Sequence, residues 1–175
     1  MLGIKSNSAE EFVKANIVVK TIRIEDNGKI KENMSFPTIS FTELVNESWE
    51  NSSFGNYLRE TRFLFIVFRR NQEGEYTFRG GQFWNIPYRD LEEDVRSVWE
   101  KTKRLVIGGM EIKLENGKYR SNLPKQSENR VSHVRPHAKD SSDTCPLPDG
   151  RLFPKQCFWL NNSYVLSQLR DDLKN

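Results

Sequence analysis

The sequence predicts an α/β (α+β) fold in which helices flank a mixed β-sheet in a single domain over residues 1–175. Residues 63–68 are all apolar, which is typical of a strand that is buried on both faces of a sheet. Residues 91–105 carry apolar side chains at helical spacing, and turn sequences separate several short β-branched segments. A chain of this length can enclose a sizeable core, so these elements can form one domain.

The first half of the chain is predicted to alternate strands with short helices. Residues 16–24 are rich in β-branched side chains and predict a strand, which ends at the turn sequence Asp26-Asn27-Gly28. A short helix is predicted at residues 41–49, where Ser40 and Glu43 have the spacing of a capping box. The other elements predicted here are a return strand from residue 29, a helical segment at 54–59, the central strand at 62–69 and a strand at 76–86 that is broken at Gly80-Gly81.

The second half begins with the strongest predicted helix. Pro87 suits its first turn, acidic residues lie early and basic residues late, as the helix dipole favours, and Gly108-Gly109 ends it. Trp99 within this helix is predicted to be a core residue. The later elements are a hairpin around Asn116-Gly117, a polar loop at 123–130, a strand within 152–160 and a last helix at 162–173, capped by Asn162 or Ser163.

Positive charge is concentrated in the second half of the chain. The net charge is +3, but residues 101–155 hold twelve Lys and Arg against six Asp and Glu, a local balance of +6 that leaves −3 for the remainder. This asymmetry favours a protein with one surface for a polyanion. A solvated surface with uneven charge is the alternative explanation.

The same sequence disfavours membrane, secreted and zinc-binding proteins. No apolar run approaches the roughly 18 residues of a membrane span, and residues 1–9 lack the apolar core of a secretory signal, so a cytoplasmic protein is expected. Cys145 and Cys157 form no C-x-x-C pair and are expected to be free thiols, one of them in a strand. His133 and His137 flank a proline, which opposes the helix that an H-x-x-x-H zinc site needs.

A nuclease-like metal motif with one carboxylate missing lies near the start of the chain. In such motifs an acidic residue at a turn precedes a carboxylate and a lysine that are two residues apart on one strand and share a face. The carboxylates hold Mg²⁺, and the lysine supports the attacking water and the phosphoryl charge. Glu11 and Lys20 occupy the outer positions here, but Val18 stands in place of the second carboxylate and cannot bind a metal. A nuclease fold that binds DNA without cutting it is therefore predicted.

Three parts of the chain resemble the MutH-type GATC endonucleases, in the same order. Residues 11–22 are similar to the D-x6-E-x-K-T-I stretch of that family, and residues 83–87 are similar to the L-W-S-P stretch that precedes an acidic helix. Residues 133–139 and 158–164 are similar to the family's R-P-K-A and F-Y-L-K-K-N-F. The resemblance spans most of the chain and implies a restriction-endonuclease-like fold.

The resemblance is strongest to the Sau-type GATC restriction endonucleases, which carry two MutH-like domains in one chain. One domain of that family is catalytic, and the other has a degenerate metal site and acts as an allosteric DNA-binding domain. Val18 implies the second kind, so the chain is expected to be a fragment of a longer two-domain endonuclease. The implied partners are double-stranded DNA, the catalytic domain of the same protein and a second copy in a homodimer on DNA. No cofactor is implied for this domain, and Mg²⁺ is implied for the parent enzyme.

The resemblance also implies which residues contact DNA. Arg135, Pro136, His137 and Lys139 match the family's recognition loop, although His137 stands where that family has lysine. An arginine on a backbone stiffened by proline suits the two parallel hydrogen bonds that recognise guanine. Trp159 matches a family tyrosine that lies close to the recognised adenine.

Phosphate contacts are also expected near this loop, and an alternative without DNA is open for its residues. Two lysines of the family are Asn161 and Asn162 here, so attraction to phosphates is expected to be weaker at this position, and Lys155 and Arg151 are expected to compensate by contacting phosphates. In the alternative without DNA, Arg135 pairs with Asp140 or Asp143, and Trp159 is a core residue.

Two other functions are open to this sequence. An active Mg²⁺ nuclease would need a relocated carboxylate from Glu10, Glu11, Glu25 or Asp26, although the strand direction places the last two beyond Lys20. A dimerisation module without DNA contact is the second, and the basic half of the chain disfavours it.

Overall fold

A computed structural model of the chain describes residues 10–175, without the side chain of Glu11. The strands are β1 (Ile17–Ile24), β2 (Met34–Thr38), β3 (Arg62–Arg70), β4 (Tyr76–Trp84), β5 (Ile112–Glu115), β6 (Lys118–Ser121), β7 (Ser132–Pro136), β8 (Thr144–Pro146), β9 (Leu152–Pro154) and β10 (Gln156–Leu160). The helices are α1 (Glu10–Lys14), α2 (Phe41–Leu44), α3 (Ser53–Glu60), α4 (Arg96–Ile107), α5 (Asn162–Gln168) and α6 (Asp171–Lys174). A π-helical segment, Asp90–Val95, directly precedes α4. Within residues 10–175, every helix is too short or too polar to cross a membrane.

The chain forms two compact units. Unit 1 contains the described residues up to Asn33, together with Asn56–Pro87 and Asn162–Asn175. Unit 2 contains Met34–Gly55 and Tyr88–Asn161. The assignment of residues 1–175 to one domain of a longer protein stays a prediction.

Unit 1 is built on a mixed three-stranded sheet in the order β1-β3-β4. β1 runs parallel to β3 and β3 runs antiparallel to β4, which confirms the predicted mixed sheet and its central strand. Phe63 and Phe65 on β3 are fully buried, and the rings of Phe65 and Trp84 lie 5.2 Å apart. α5 packs on this sheet through Tyr164, whose ring centroid lies 6.4 Å from that of Trp84. Phe63, Phe65, Trp84 and Tyr164 therefore belong to the core of this unit.

The strand break predicted at Gly80-Gly81 is wrong, because β4 continues through both glycines. The pairing is nevertheless irregular beside Gly80, because Val67 pairs with Gly80 and Phe68 with Phe78, which leaves Arg79 as an extra residue on β4. Gly80 has a φ of +137°, and a Cβ at this position would lie 2.9 Å from Cδ2 of Leu173 in α6. The positive φ favours glycine at this position, and the close approach of Leu173 leaves little room for a Cβ.

Unit 2 contains the antiparallel sheet β2-β10-β7 and the two hairpins β5–β6 and β8–β9. Phe158 on β10 stacks on Phe54, with ring centroids 4.3 Å apart and planes at 9°. Trp99 on α4 is buried, as predicted, and its ring lies 5.6 Å from that of Trp49. The combination of helices with parallel and antiparallel strands confirms the predicted α/β class.

Turn signals predict local structure correctly in this chain, whereas the predicted capping box is wrong. Asn116 and Gly117 have φ angles of 50° and 72° and connect β5 to β6 directly, which confirms the predicted hairpin. α2 is shorter than predicted, and Ser40 at its start makes no side-chain capping hydrogen bond. The predicted last helix is divided into α5 and α6, since Arg170 between them has an extended backbone.

Cys145 and Cys157 are free thiols, as predicted. Both lie in strands, β8 and β10 respectively. Burial raises the pKa of each thiol, which favours the protonated and unreactive form.

Candidate nucleic-acid interface

The degenerate metal motif lies on β1 in unit 1. Val18 and Lys20 point to the same face, as their spacing predicts, because side chains alternate along a strand. The register of the parallel pair sets Val18 beside Phe63 and Lys20 beside Phe65. Burial lowers the pKa of the Lys20 ammonium below its ordinary value. The face on which a nuclease would hold its metal therefore consists here of apolar side chains around one half-buried lysine.

The carboxylates that could replace the missing ligand have other partners. Glu10 forms an ion pair with Lys14 at 2.7 Å. Glu25 and Asp26 follow the end of β1, and Glu25 accepts a hydrogen bond from the Tyr76 hydroxyl at 2.8 Å. Glu25 lies five residues beyond the motif lysine, which corresponds to about 16 Å along an extended strand. These positions do not support a relocated metal site on β1.

The described residues do not fit a Mg²⁺ site. Within residues 10–175, and apart from the side chain of Glu11, no group of three or more His, Cys, Asp or Glu side chains could hold a metal ion. The Val18 side chain offers no oxygen atom, and the prediction for Glu11 concerns a side chain that lies outside the described residues. The motif face therefore has no described ligand set for metal-dependent hydrolysis.

The residues predicted to recognise bases meet in unit 2, where β7 lies beside β10. The strand register sets Arg135 opposite Cys157 and His133 opposite Trp159. The indole N–H of Trp159 donates a hydrogen bond to the backbone carbonyl of Arg135 at 3.2 Å. The guanidinium carbon of Arg135 lies 5.5 Å from the centroid of the Trp159 ring, and the His137 ring centroid lies 5.4 Å from it. We call Arg135, His137 and Trp159 together the Arg135 surface.

The Arg135 surface is accessible to solvent. Arg135 and His137 are exposed, and Trp159 is partly exposed. Phe158, which precedes Trp159 on β10, points into the core with 3% of its surface exposed. Because side chains alternate along a strand, Trp159 points to the opposite side. The structure thus favours a surface position for Trp159 over the alternative of a core residue.

The guanidinium of Arg135 keeps its hydrogen-bond donors available for a ligand. The alternative pairing with Asp140 or Asp143 is not observed, since Arg135 forms no salt bridge within the described range of the chain. Asp140 accepts hydrogen bonds from Ser142, and Asp143 forms an ion pair with Lys155 at 2.6 Å. Both carboxylates are therefore engaged by other groups.

Asp143 fixes the connection between β7 and β8. Arg135 is still part of strand β7, whereas His137 and Lys139 lie in this connection. The Asp143 carboxylate accepts a hydrogen bond from the backbone N–H of Lys139 at 3.1 Å, and the Lys155 ammonium holds the pKa of Asp143 below its usual range. The backbone N–H of His137 donates to the Lys155 carbonyl at 2.9 Å. The charge of Lys155, a predicted phosphate contact, is thus already balanced by Asp143.

A buried chain of hydrogen bonds lies beside the Arg135 surface, where the register pairs His133 with Trp159. His133 is 2% exposed, and its Nδ1 lies 2.6 Å from Oδ1 of Asn161. The Asn161 amide donates to the backbone carbonyl of Asn129 at 2.7 Å, so its oxygen is the group that faces His133, and Nδ1 is the protonated nitrogen. No local spacing predicts these contacts, because Asn161 lies 28 residues from His133 and 32 from Asn129 in the sequence. Asn161, which stands where the family has a lysine, is consequently a buried structural residue and does not contact phosphates.

Stability should depend on pH through His133. Burial lowers the pKa of His133 below its ordinary value of 6.5, and its Nε2 is buried with no partner among the described residues. The unfolded chain therefore takes up a proton near pH 6.5 that the folded chain binds only at lower pH. The free energy of unfolding should fall as pH decreases through 6.5, by at most about 1.4 kcal/mol per pH unit from this group.

Urea denaturation between about pH 7.5 and pH 5 measures this effect. His133→Gln should show a smaller loss of stability over that range than the wild type. His137→Gln, at an exposed histidine, is the matched control. If His133→Gln follows the same pH dependence as the wild type, His133 is not the titrating group.

Comparison with known proteins gives two matches. Residues 2–95 match the sequence model of the family described as MutH, the DNA mismatch repair enzyme. Over an alignment of 194 positions, the chain is 31% identical to the type II restriction enzyme Sau3AI of Staphylococcus aureus. This alignment covers 93% of the chain and 40% of that enzyme, so the chain spans about two-fifths of the length of the relative that it matches.

Proposed function

Because this chain belongs to the MutH family, we propose that it binds double-stranded DNA at GATC sequences and does not cut it. Membership of this family places the chain among DNA-binding, nuclease-related proteins. The observation that carries the finer proposal is the Arg135 surface, in which an exposed guanidinium with free donors rests beside two aromatic rings.

The geometry of the Arg135 surface suits recognition of a guanine edge. An arginine guanidinium can donate two parallel hydrogen bonds to O6 and N7 of guanine in the major groove. The Trp159 ring, held by its hydrogen bond to the Arg135 carbonyl, limits the directions that the guanidinium can take. Fewer side-chain conformations then have to be given up on binding. A partly exposed indole and imidazole beside it can contact a neighbouring base.

The motif face supports binding without cleavage. Val18 replaces a metal-binding carboxylate, and the register sets apolar rings beside both motif positions on β1. The partly buried Lys20 remains, but a lysine side chain alone cannot hold the metal ion that would activate a water molecule for hydrolysis. The chain would thus act as the DNA-binding effector of a longer type II restriction endonuclease, with the catalytic domain and its Mg²⁺ elsewhere in that protein. A homodimer on DNA is part of the same proposal.

The chain should leave DNA intact. A supercoiled plasmid with GATC sites, incubated with the chain and Mg²⁺, should show no nicking or linearisation on an agarose gel. The reason is that the described residues of the motif face provide no metal ligand set.

The decisive control is Lys20→Ala. Nicking by the wild type that disappears in Lys20→Ala would overturn the proposal and favour an active nuclease with a relocated carboxylate. Nicking that persists in this variant would indicate a contaminating nuclease. Binding is measured in parallel by fluorescence anisotropy, with a GATC duplex and a scrambled duplex of the same composition. Equal affinity for the two duplexes would contradict the proposed specificity.

A further inference from the structure

A second concentration of positive charge lies on the β5–β6 hairpin of unit 2. The register pairs Lys113 with Arg120 and Glu115 with Lys118. Directly paired residues share a face of a hairpin, so these four side chains lie on one side and give it three positive charges against one negative. All four side chains are exposed.

The charges on this face are not neutralised within the protein. In the part of the chain that the structure describes, Lys113, Lys118 and Arg120 have no ion-pair partner, although Lys118 lies opposite Glu115. Like charges directly opposite each other destabilise a strand pair. An isolated two-stranded hairpin is itself only marginally stable in water. An anion placed between Lys113 and Arg120 would convert this repulsion into attraction.

The opposite face of the hairpin holds it against unit 2. Tyr119, which alternates with Lys118 and Arg120, packs on Phe153 of β9, with ring centroids 6.1 Å apart. Phe153 is buried, with 2% of its surface exposed. Because one face is anchored in this way, the face with the three cations points away from the body of unit 2.

The hairpin is anchored close to the Arg135 surface. β9 is followed by β10 after a single residue, and Trp159 lies six positions after Phe153. Six extended residues span at most about 20 Å. With one base pair per 3.4 Å of duplex, this distance corresponds to about six base pairs. A duplex bound at the Arg135 surface can therefore extend to the hairpin.

We propose that the β5–β6 hairpin is a second, sequence-independent DNA contact, in which Lys113, Lys118 and Arg120 bind backbone phosphates of the duplex held at the Arg135 surface. This inference rests on the proposed function. The ligand chemistry is a row of phosphate diesters, which regularly spaced cations on an exposed ribbon can match. The hairpin adds affinity to every sequence and does not select among them.

The test uses a hairpin variant in which three cations are replaced, Lys113→Gln/Lys118→Gln/Arg120→Gln. The unit 1 control removes the same number of positive charges elsewhere, Lys14→Gln/Lys29→Gln/Lys31→Gln. Dissociation constants are measured by anisotropy between about 50 and 200 mM salt, with a GATC duplex of about 24 base pairs and one of about 8 base pairs. The hairpin variant should lower the salt slope by roughly 0.9 for each phosphate that the protein no longer neutralises, or about 2–3 in total. Its preference for GATC over the scrambled duplex should not change, and it should match the wild type on the short duplex.

Each contrary result has a separate meaning. A salt slope equal to that of the wild type, or an equal reduction in the unit 1 control, overturns the hairpin contact. Aggregation of the hairpin variant with unchanged affinity also overturns it, because the cations would then only protect exposed strand edges. If the wild type binds both duplexes equally but the hairpin variant has a smaller salt slope, the GATC proposal fails and the phosphate contact stands. If the wild type binds no DNA, both fail.

Discussion

Replacing Phe158 by alanine should lower the free energy of unfolding by about 3–5 kcal/mol, as expected for truncation of a buried aromatic side chain. Phe158 is 3% exposed and stacks on Phe54 at 4.3 Å, and Phe54 in turn packs edge-on against Phe36 at 5.3 Å. Truncation leaves a cavity at the centre of this group of rings. Because domains are stable by only about 5–15 kcal/mol, this single change should be visible in any denaturation curve.

The adjacent residue should behave differently. Trp159 is partly exposed, and its hydrogen bond to Arg135 involves only one backbone carbonyl. Trp159→Ala should therefore cost about 1–2 kcal/mol of stability, which is ordinary for a partly buried position. Urea denaturation of the two variants, with Phe158→Leu as the conservative control, compares them directly. A destabilisation by Trp159→Ala as large as that by Phe158→Ala would assign Trp159 to packing and remove it from the DNA interface.

Arg135→Ala should reduce the preference for GATC over a scrambled duplex by about 5- to 150-fold. This range corresponds to the 1–3 kcal/mol that a bidentate contact to a base contributes to discrimination. Arg135 is exposed, has no salt bridge within residues 10–175 and lies 5.5 Å from the Trp159 ring centroid. Its removal should therefore affect recognition with little effect on folding. The measurement is the ratio of the two dissociation constants at one salt concentration.

Two further variants separate charge from geometry at this position. Arg135→Lys keeps the positive charge but not the planar fork, so it should also reduce the preference while its salt slope stays near that of the wild type. Arg23→Ala removes another exposed arginine, from unit 1, where it pairs with Glu32 at 3.0 Å, and should leave the preference unchanged. Discrimination by Arg135→Ala that equals that of the wild type would show that Arg135 does not recognise a base.

The parts of the fold that depend on local sequence are predicted well. The apolar run at 63–68 lies at the centre of the sheet in unit 1, because only a strand covered on both faces can be apolar throughout. Asn116 and Gly117 form the hairpin turn because both tolerate a positive φ. The parts that fail depend on contacts distant in sequence. β4 continues past Gly80 with only Arg79 left unpaired, and no local signal contains the close approach of Leu173 in α6 to Gly80.

The same distinction applies to the candidate site. A period of two residues suffices to place Val18 and Lys20 on one face. Arg135 lies near Trp159 because β7 pairs with β10. The resemblance identifies the two stretches separately and does not predict that they pair. The role of His133 is not predictable from the residues next to it in sequence, since its partner Asn161 follows 28 residues later, after the β8–β9 hairpin. The sequence predicts that Lys155 is available for phosphate, but its ion pair with Asp143 depends on how the connection after β7 folds.

The outward position of Trp159 also gives the chain an optical signal of its own. The protein has four tryptophans, and Trp49, Trp84 and Trp99 are buried. Trp159 alone is partly open to water, with a cationic side chain and an imidazole beside its ring. Emission at the long-wavelength edge of the tryptophan spectrum therefore comes mainly from this residue. A duplex that covers the Arg135 surface would change that emission without any label on protein or DNA, so occupancy can be followed by the protein's intrinsic fluorescence.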